Sequence, residues 1–494
     1  MRLARVDRRL RLACLSLALA GCTVVGPDYA RPPVQVPATF RQPSGDAPAT
    51  LTAGDLQWWR QFGDPTLDAL VAEALAGNKT VQIAAANVQA SVAVVMQARA
   101  GLYPQVGYQA GAARQRLSER GAMPFSPSIP NPQTAYQAGL GASWELDLWG
   151  RISRLSESAR AELLANESAR RGVVLSLVSA VANAYIQLLV FDEQLAIARR
   201  SLTTYAEAVR LFELQFKYGQ ISQVTVEQAR SQYEAAAIAI PQIEREAALT
   251  EQALSLLLGR NPGPIARGKS LKALTLPVVP GGLPSSLLEQ RPDIAQAEQQ
   301  LIAANARIGA ARAQYYPSIS LTAALGLASG QLSNLFNGAA RTWSFGGGLV
   351  GPIFSGGLIE GQVAQTEALQ QAALLNYESV IQSAFADVDN ALVSRQKYAE
   401  QVQAEKRRID ALSQTVRLAT LRYNGGVTDY LAVLNAQQQL FPAELTYAQD
   451  LGQSYVSVVN LYKALGGGWV DAAAYDCATP GSRQIAGKGP ASGC

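Results

Sequence analysis

The sequence predicts an α+β membrane protein made of two copies of one plan, in which several identical chains pool short strands into a β-barrel joined to very long helices. Three observations carry this prediction: a lipoprotein-like start, an internal repeat, and strands whose two faces differ sharply in polarity.

The start comes first. Arg2, Arg5, Arg8, Arg9 and Arg11 form a basic cluster, and residues 12–20 form an apolar run. That run is too short to stay in a bilayer as a helix, which needs about 20 residues, so residues 1–21 read as a signal peptide. The stretch Leu19-Ala-Gly-Cys22 places small residues just before a cysteine and resembles the bacterial lipobox. That resemblance implies cleavage before Cys22, which then carries an N-acyl chain and an S-diacylglycerol lipid. An ordinary signal cut nearby, leaving Cys22 a thiol, is the alternative. Thr23 stands where an aspartate would retain a lipoprotein in the inner membrane, which favours a cell outer membrane location with a periplasmic extension.

Composition removes whole classes of function. The formal charge of +4 falls to about zero once the signal's arginines leave, so nothing electrostatic argues for nucleic acid. Histidine is absent, which eliminates His-based triads, His general bases and most zinc sites. No nucleophile, metal or phosphate-binding motif stands out, so catalytic, cofactor and metal sites are expected to be none. Cys14 leaves with the signal; Cys477 and Cys494 lie in a Gly/Pro/Ser-rich tail, either as a disulfide or as two unpaired thiols.

The repeat follows. Ala98-Arg-Ala-Gly-Leu-Tyr103-Pro104 returns as Ala311-Arg-Ala-Gln-Tyr-Tyr316-Pro317, Lys217-Tyr218-Gly219 as Arg422-Tyr423-Asn-Gly425, and Leu257-Leu258-Gly259 as Ala464-Leu465-Gly466. The offset is about 205 to 213 residues each time. The chain therefore divides into a signal (1–21), a lipid-anchored extended segment (22–65), a first repeat (66–259), a Pro/Gly-rich linker (260–284), a second repeat (285–469) and a flexible tail (470–494).

Each repeat reads helix, two strands, very long helix, shorter helix. In the first, Val181, Leu188, Leu195, Leu202, Val209 and Phe216 recur every seventh residue, with Ala184, Phe191, Ala198, Tyr205 and Phe212 as companions. This is a coiled-coil seam over five heptads. In the second, Val402, Ile409, Val416 and Tyr423 keep the period, but Glu405 interrupts the companion series. Residues 151–215 as one helix run roughly 97 Å, far beyond an ordinary globular helix.

The strands give the membrane signal. Over 136–149 the even positions are Tyr136, Ala138, Leu140, Ala142, Trp144, Leu146 and Leu148, and the odd ones from Gln137 to Asp147 are polar or small. Ile319, Leu321, Ala323, Leu325 and Leu327 alternate likewise, as do Trp343, Phe345 and Leu349, and more weakly a strand near Val106. Strands of about ten residues, greasy outside and polar inside, fit an outer-membrane barrel. Two strands per repeat give four per chain, whereas such a barrel needs at least about eight to close. Chains must therefore assemble, and three copies supply twelve strands.

At this point the residues resemble the TolC-type outer-membrane efflux factors, in their OprM-like lipoprotein branch. The motifs are Gly21-Cys-Thr-Val-Val-Gly-Pro-Asp-Tyr-Ala-Arg-Pro32, Trp58-Trp-Arg-Gln-Phe-Gly-Asp-Pro-Thr-Leu-Asp68, Trp144-Glu-Leu-Asp-Leu-Trp-Gly-Arg151 and Arg291-Pro-Asp-Ile294 with Ala297-Glu298. The resemblance implies a homotrimer: a 12-stranded barrel in outer-membrane lipid, continuous with a long periplasmic α-helical coiled-coil barrel pinched at its far end. It also implies a periplasmic adaptor (membrane fusion) protein and an inner-membrane RND-type pump as partners, and passive conduction of drugs or other small molecules. The pinch is expected at 218–228 and 423–437. Tyr423 matches a tyrosine that holds neighbouring helices closed in the family, and Tyr218 is its counterpart in the first repeat. The family's constricting aspartates would fall at Ala432 and Asn435, and a gate-linking acid at Thr225, so Asp429 is the nearest carboxylate for an anionic collar, or else a helix-start residue near Thr428. Gly219, Gly425 and Gly426 fit tight tip turns, while Pro292 and Asp293 fit a helix start.

Two further readings stand beside this one. The same duct can serve metal-ion export or protein secretion. A non-conducting coiled-coil tether is the other, and the amphiphilic strands argue against it.

Overall fold

The computed structural model describes residues 24–34, 36–37, 39–41, 57–118, 120, 130–277 and 287–467. The expected signal, the expected acylation site Cys22, and the tail with Cys477 and Cys494 lie outside the described residues. After a short helix α1 (Pro65–Gly77), the first copy runs α2 (Lys79–Ala100), β1 (Gln105–Gln115), β2 (Gln133–Leu146), α3 (Arg151–Lys217) and α4 (Gln223–Leu257). The second runs α5 (Pro292–Arg312), β3 (Ser318–Ser329), β4 (Arg341–Val350), α6 (Leu358–Asn424) and α7 (Leu431–Ala464). Both α3 and α6 have 67 residues, about 100 Å each at 1.5 Å per residue. Tyr103-Pro104 and Tyr316-Pro317 sit between helix and strand in both copies, as expected where proline ends a helix.

The chain divides into two compact units, each drawn from both copies. One comprises Met1–Pro33, Asn87–Asn166 and Gln296–Tyr377. Its sheet has the order β1-β2-β3-β4 and is antiparallel throughout. The register joins Tyr108 to Leu140, Leu140 to Leu325 and Leu325 to Trp343, so every predicted apolar position falls on one face. That face is bare: Tyr108 is 89 % exposed, Phe345 79 % and Trp343 72 %. The alternation predicts β2 out to Trp149, but the strand stops at Leu146. Asp147 turns instead to accept from Ile152 N (2.8 Å) and Ser153 N (2.7 Å), capping α3. Trp149 stacks on Tyr316 and donates to Pro317 O.

The segment just beyond Cys22 is strapped to this unit. Val25 N donates to Trp149 O, Asn305 Nδ2 to Pro27 O, and Tyr29 OH and Arg31 Nη2 to the Glu298 carboxylate. Arg154, buried on α3, donates to Val25 O, Gly26 O and Asp28 Oδ1. Gly26, at φ +107°, lies so close to Gly309 that a Cβ would come within 2.4 Å of its Cα, so no other residue fits there. Burial together with the Glu298 carboxylate pushes the Tyr29 phenol well above its ordinary range.

The other unit comprises Val34–Ala86, Glu167–Ala295 and Glu378–Cys494. Its apolar core falls into three clusters along α3, α4 and α7. Within α3, burial passes from one heptad series to the other: Val181 and Leu188 are sealed at one end, Ala198, Tyr205 and Phe212 further on, and Phe216 is exposed. A straight helix drifts about 20° per heptad against a seven-residue repeat, which moves the seam from one series to its neighbour.

Two polar anchors hold this unit. Asp64, fully buried, accepts from Thr66 N (2.9 Å), Tyr185 OH (2.7 Å) and Lys269 N (3.0 Å). Arg291 precedes Pro292, the first residue of α5, and is buried. Its guanidinium grips Asp293 through two bonds (3.0 and 2.6 Å), reaches Asp387 on α6 (3.0 Å), and donates to the carbonyls of Ala464 (3.0 Å) and Ala384 (3.5 Å). Asp293 Oδ1 also accepts from Ile294 N, so the expected helix-start role of the pair is joined by an ion pair across helices.

Candidate functional site

The turns joining long and shorter helices are built alike. At the end of α3, Gly219 N bonds Phe216 O and Gln220 N bonds Gln215 O, both at 2.8 Å. At the end of α6, Gly426 N bonds Tyr423 O and Val427 N bonds Arg422 O, both at 2.9 Å. Each pair reclaims two carbonyls the helix end would leave unpaired, and requires a left-handed residue. Gly219 (φ +73°) and Gly426 (φ +70°) supply it. Gly425, grouped with them from sequence, is not in the left-handed region, so the turn does not draw on its backbone freedom. The turns are shorter than 218–228 and 423–437, because α4 starts at Gln223 and α7 at Leu431.

Between the turns lies an aromatic cluster. Phe212 and Tyr430 are edge-to-face at 4.1 Å between centroids, Tyr423 and Tyr430 at 5.5 Å, and Phe212 and Tyr423 at 6.3 Å. Val226, Ala229, Val433 and Leu434 close around them. Tyr423 OH donates to Gln215 Oε1 (3.2 Å), tying α6 to α3, and Tyr430 OH donates to Gln437 Oε1 (3.2 Å). Burial, with the neighbouring Tyr205 and Tyr423 phenols, pushes Tyr430 up to about 12, so it stays protonated across the physiological range.

The structure thus brings Tyr423 into this aromatic cluster and leaves other expected residues outside it. Tyr218 and Asp429 are exposed in the turns, and Asn435 is exposed on α7, its carbonyl accepting from Gln439. Thr225, in the first turn of α4, is half-buried, with its hydroxyl 3.3 Å from Ser222 Oγ. Sequence reasoning missed Gln215 and Tyr430. Tyr430 had a signal, standing seven residues after Tyr423; Gln215, a polar residue near a seam, had none.

The profile of the outer membrane efflux protein family matches residues 70–260 and 283–467. The toluene efflux pump outer membrane protein TtgF of Pseudomonas putida is 38 % identical over 466 residues, covering 92 % of this chain and 96 % of TtgF. The cation efflux system protein CusC of Escherichia coli is 36 % identical over 462 residues, covering 92 % and 98 %. The open-state crystal structure of the Neisseria gonorrhoeae MtrE outer membrane channel superposes with a TM-score of 0.81 at 33 % identity, covering 90 % of this chain and 99 % of MtrE.

Proposed function

The chain belongs to the outer membrane efflux protein family, and on that premise we propose that it is the exit duct through which a multidrug pump discharges organic molecules. At the coarser level it is an outer-membrane efflux channel of a tripartite system and not an enzyme. Its fold is that of a trimer with a 12-stranded barrel and a long α-helical barrel.

One observation carries the conduit reading: a sheet with an uncovered apolar face, a polar reverse and two unpaired edges, β1 and β4. In hydrocarbon each unpaired edge group costs several kcal/mol, so the edges must meet those of other copies. Helix α2 supports this independently, since it is predominantly apolar, with a mean hydropathy of 1.3, yet has no buried residue in the single chain. Strands of 10 to 14 residues suffice to cross the bilayer, which takes about 9–11.

For the cargo, organic molecules fit better than metal ions, although the likeness to CusC favours the latter. The sequence has no histidine and three methionines, and among the described residues no three His, Cys, Asp or Glu gather as potential ligands. A relay of metal from ligand to ligand therefore lacks its parts. Energy comes from an inner-membrane RND-type pump joined through a periplasmic adaptor, which meets the turns at Tyr218, Gly219, Gly425 and Gly426. Supplying the chain with such an adaptor and pump to efflux-deficient cells should restore tolerance to toluene and cationic dyes; restored tolerance to metal salts alone would overturn the cargo assignment.

The latch at Tyr423 holds the tip closed. Asp429 from three copies forms an electronegative collar beside it, while Asn435 and Thr225 contribute no charge. Asp429→Asn should lower cation preference in planar bilayers, and unmoved reversal potentials would remove the collar. Cys22 carries the lipid: Cys22→Ser should abolish incorporation of labelled fatty acid, and incorporation that persisted would place the acyl chain elsewhere.

A further inference from the structure

On the polar face of the sheet the strand residues are glutamine, serine, threonine and small residues, apart from Val350 at the end of β4, with one ionisable side chain, Glu145. The register fixes its direction, because Glu145 pairs with Ser320, and Ser320 with Gly348, all on the face opposite the exposed aromatics. Glu145 stands next to last in β2, at the end where the strands return to helices.

Arg151, the first residue of α3, meets it. Nη2 donates to Glu145 Oε2 (2.8 Å) and Oε1 (3.0 Å), and Nε to Oε1 (3.1 Å). A cation in the first turn of a helix opposes the helix dipole, so the helix itself gives Arg151 no reason to be there. The capping need of α3 is already met by Asp147. The pair is also no sealed structural bridge: the side chains keep 33 % and 39 % of their surface open. Both residues line two hollows, of about 250 and 670 Å³.

We infer that Glu145 and Arg151 form a charge-compensated ring at the helix-side mouth of the strand barrel, and that this compensation lets organic ions of either sign enter. The inference rests on the conduit reading. In the trimer three carboxylates and three guanidinia face one lumen whose wall carries no other ionisable strand side chain. Each cancels its partner's field, and the remaining amide and hydroxyl wall selects weakly. The pair is thus a specificity-determining element separate from the tip.

The test is the K⁺/Cl⁻ permeability ratio of the full chain in planar bilayers, at salt low enough that the Debye length is about 10 Å. Arg151→Gln leaves three bare carboxylates and should raise the ratio roughly sevenfold, because about one kT of potential enriches the cation and depletes the anion together. Glu145→Gln should lower it by a similar factor, and the double variant should return to the native ratio. Each single variant decides alone if the other fails to insert. Measurement is repeated with Tyr423→Ala, so that a resistive tip cannot mask the mouth. Ratios that stay at the native value in both backgrounds, or single variants that move the same way, overturn the inference while leaving a conducting duct. Loss of all conductance from the native protein would instead sink the conduit reading and this inference with it.

Discussion

Tyr423→Ala should open the tip, raising single-channel conductance well above that of the native trimer. The substitution removes the bond to Gln215 and two edge-to-face contacts, with Phe212 and Tyr430. A half-buried hydrogen bond contributes about 1 kcal/mol and each aromatic pair about 0.5–1.5 kcal/mol. A loss of about 2 kcal/mol per chain shifts a closed-to-open balance roughly 30-fold, and three chains meet at one tip. Tyr423→Phe keeps the ring contacts and should have a much smaller effect. Planar-bilayer recordings separate the cases, and a native-like conductance for Tyr423→Ala would remove the latch from the mechanism.

Arg291→Met should destabilise the protein more than any tip variant. One guanidinium neutralises Asp293 and Asp387 and satisfies the carbonyl of Ala464 at the end of α7. Methionine fills similar space but leaves two carboxylates without a counter-charge and a helix-end carbonyl without a donor. Both carboxylates keep about half of their side-chain surface open (46 % and 55 %), so the loss is smaller than for a sealed pair and comes to about 2–4 kcal/mol, mainly from the unpaired Ala464 carbonyl. Arg291→Lys should fall between, because an ammonium cannot reproduce a planar fork reaching several acceptors. Melting followed by the helical circular dichroism signal provides the check; a native midpoint for Arg291→Met would mean that the α5 start does not depend on this anchor.

What the sequence made legible was periodic. Alternation at period two placed all four strands, and the seven-residue series placed α3, because burial on one face must repeat with the geometry of the element. The alternation also misled: Leu148 continues it by coincidence, while Asp147 is committed to capping α3 and ends β2 early. Anchors made by single polar side chains across long separations were illegible. Arg154 on the Val25 to Asp28 strap, Arg291 on Ala464, and Gln215 under Tyr423 join segments far apart in the chain. No local pattern distinguishes Arg154 or Gln215 from the solvated Arg and Gln around them, and the Arg291-Pro-Asp-Ile294 motif marks Arg291 without revealing its distant partners.

The central claim is that the four-strand sheet is one third of a wall. Native mass spectrometry of the protein drawn from membranes in mild detergent tests it most directly. The expected species contains three chains; a stable single chain that kept its sheet would contradict the account.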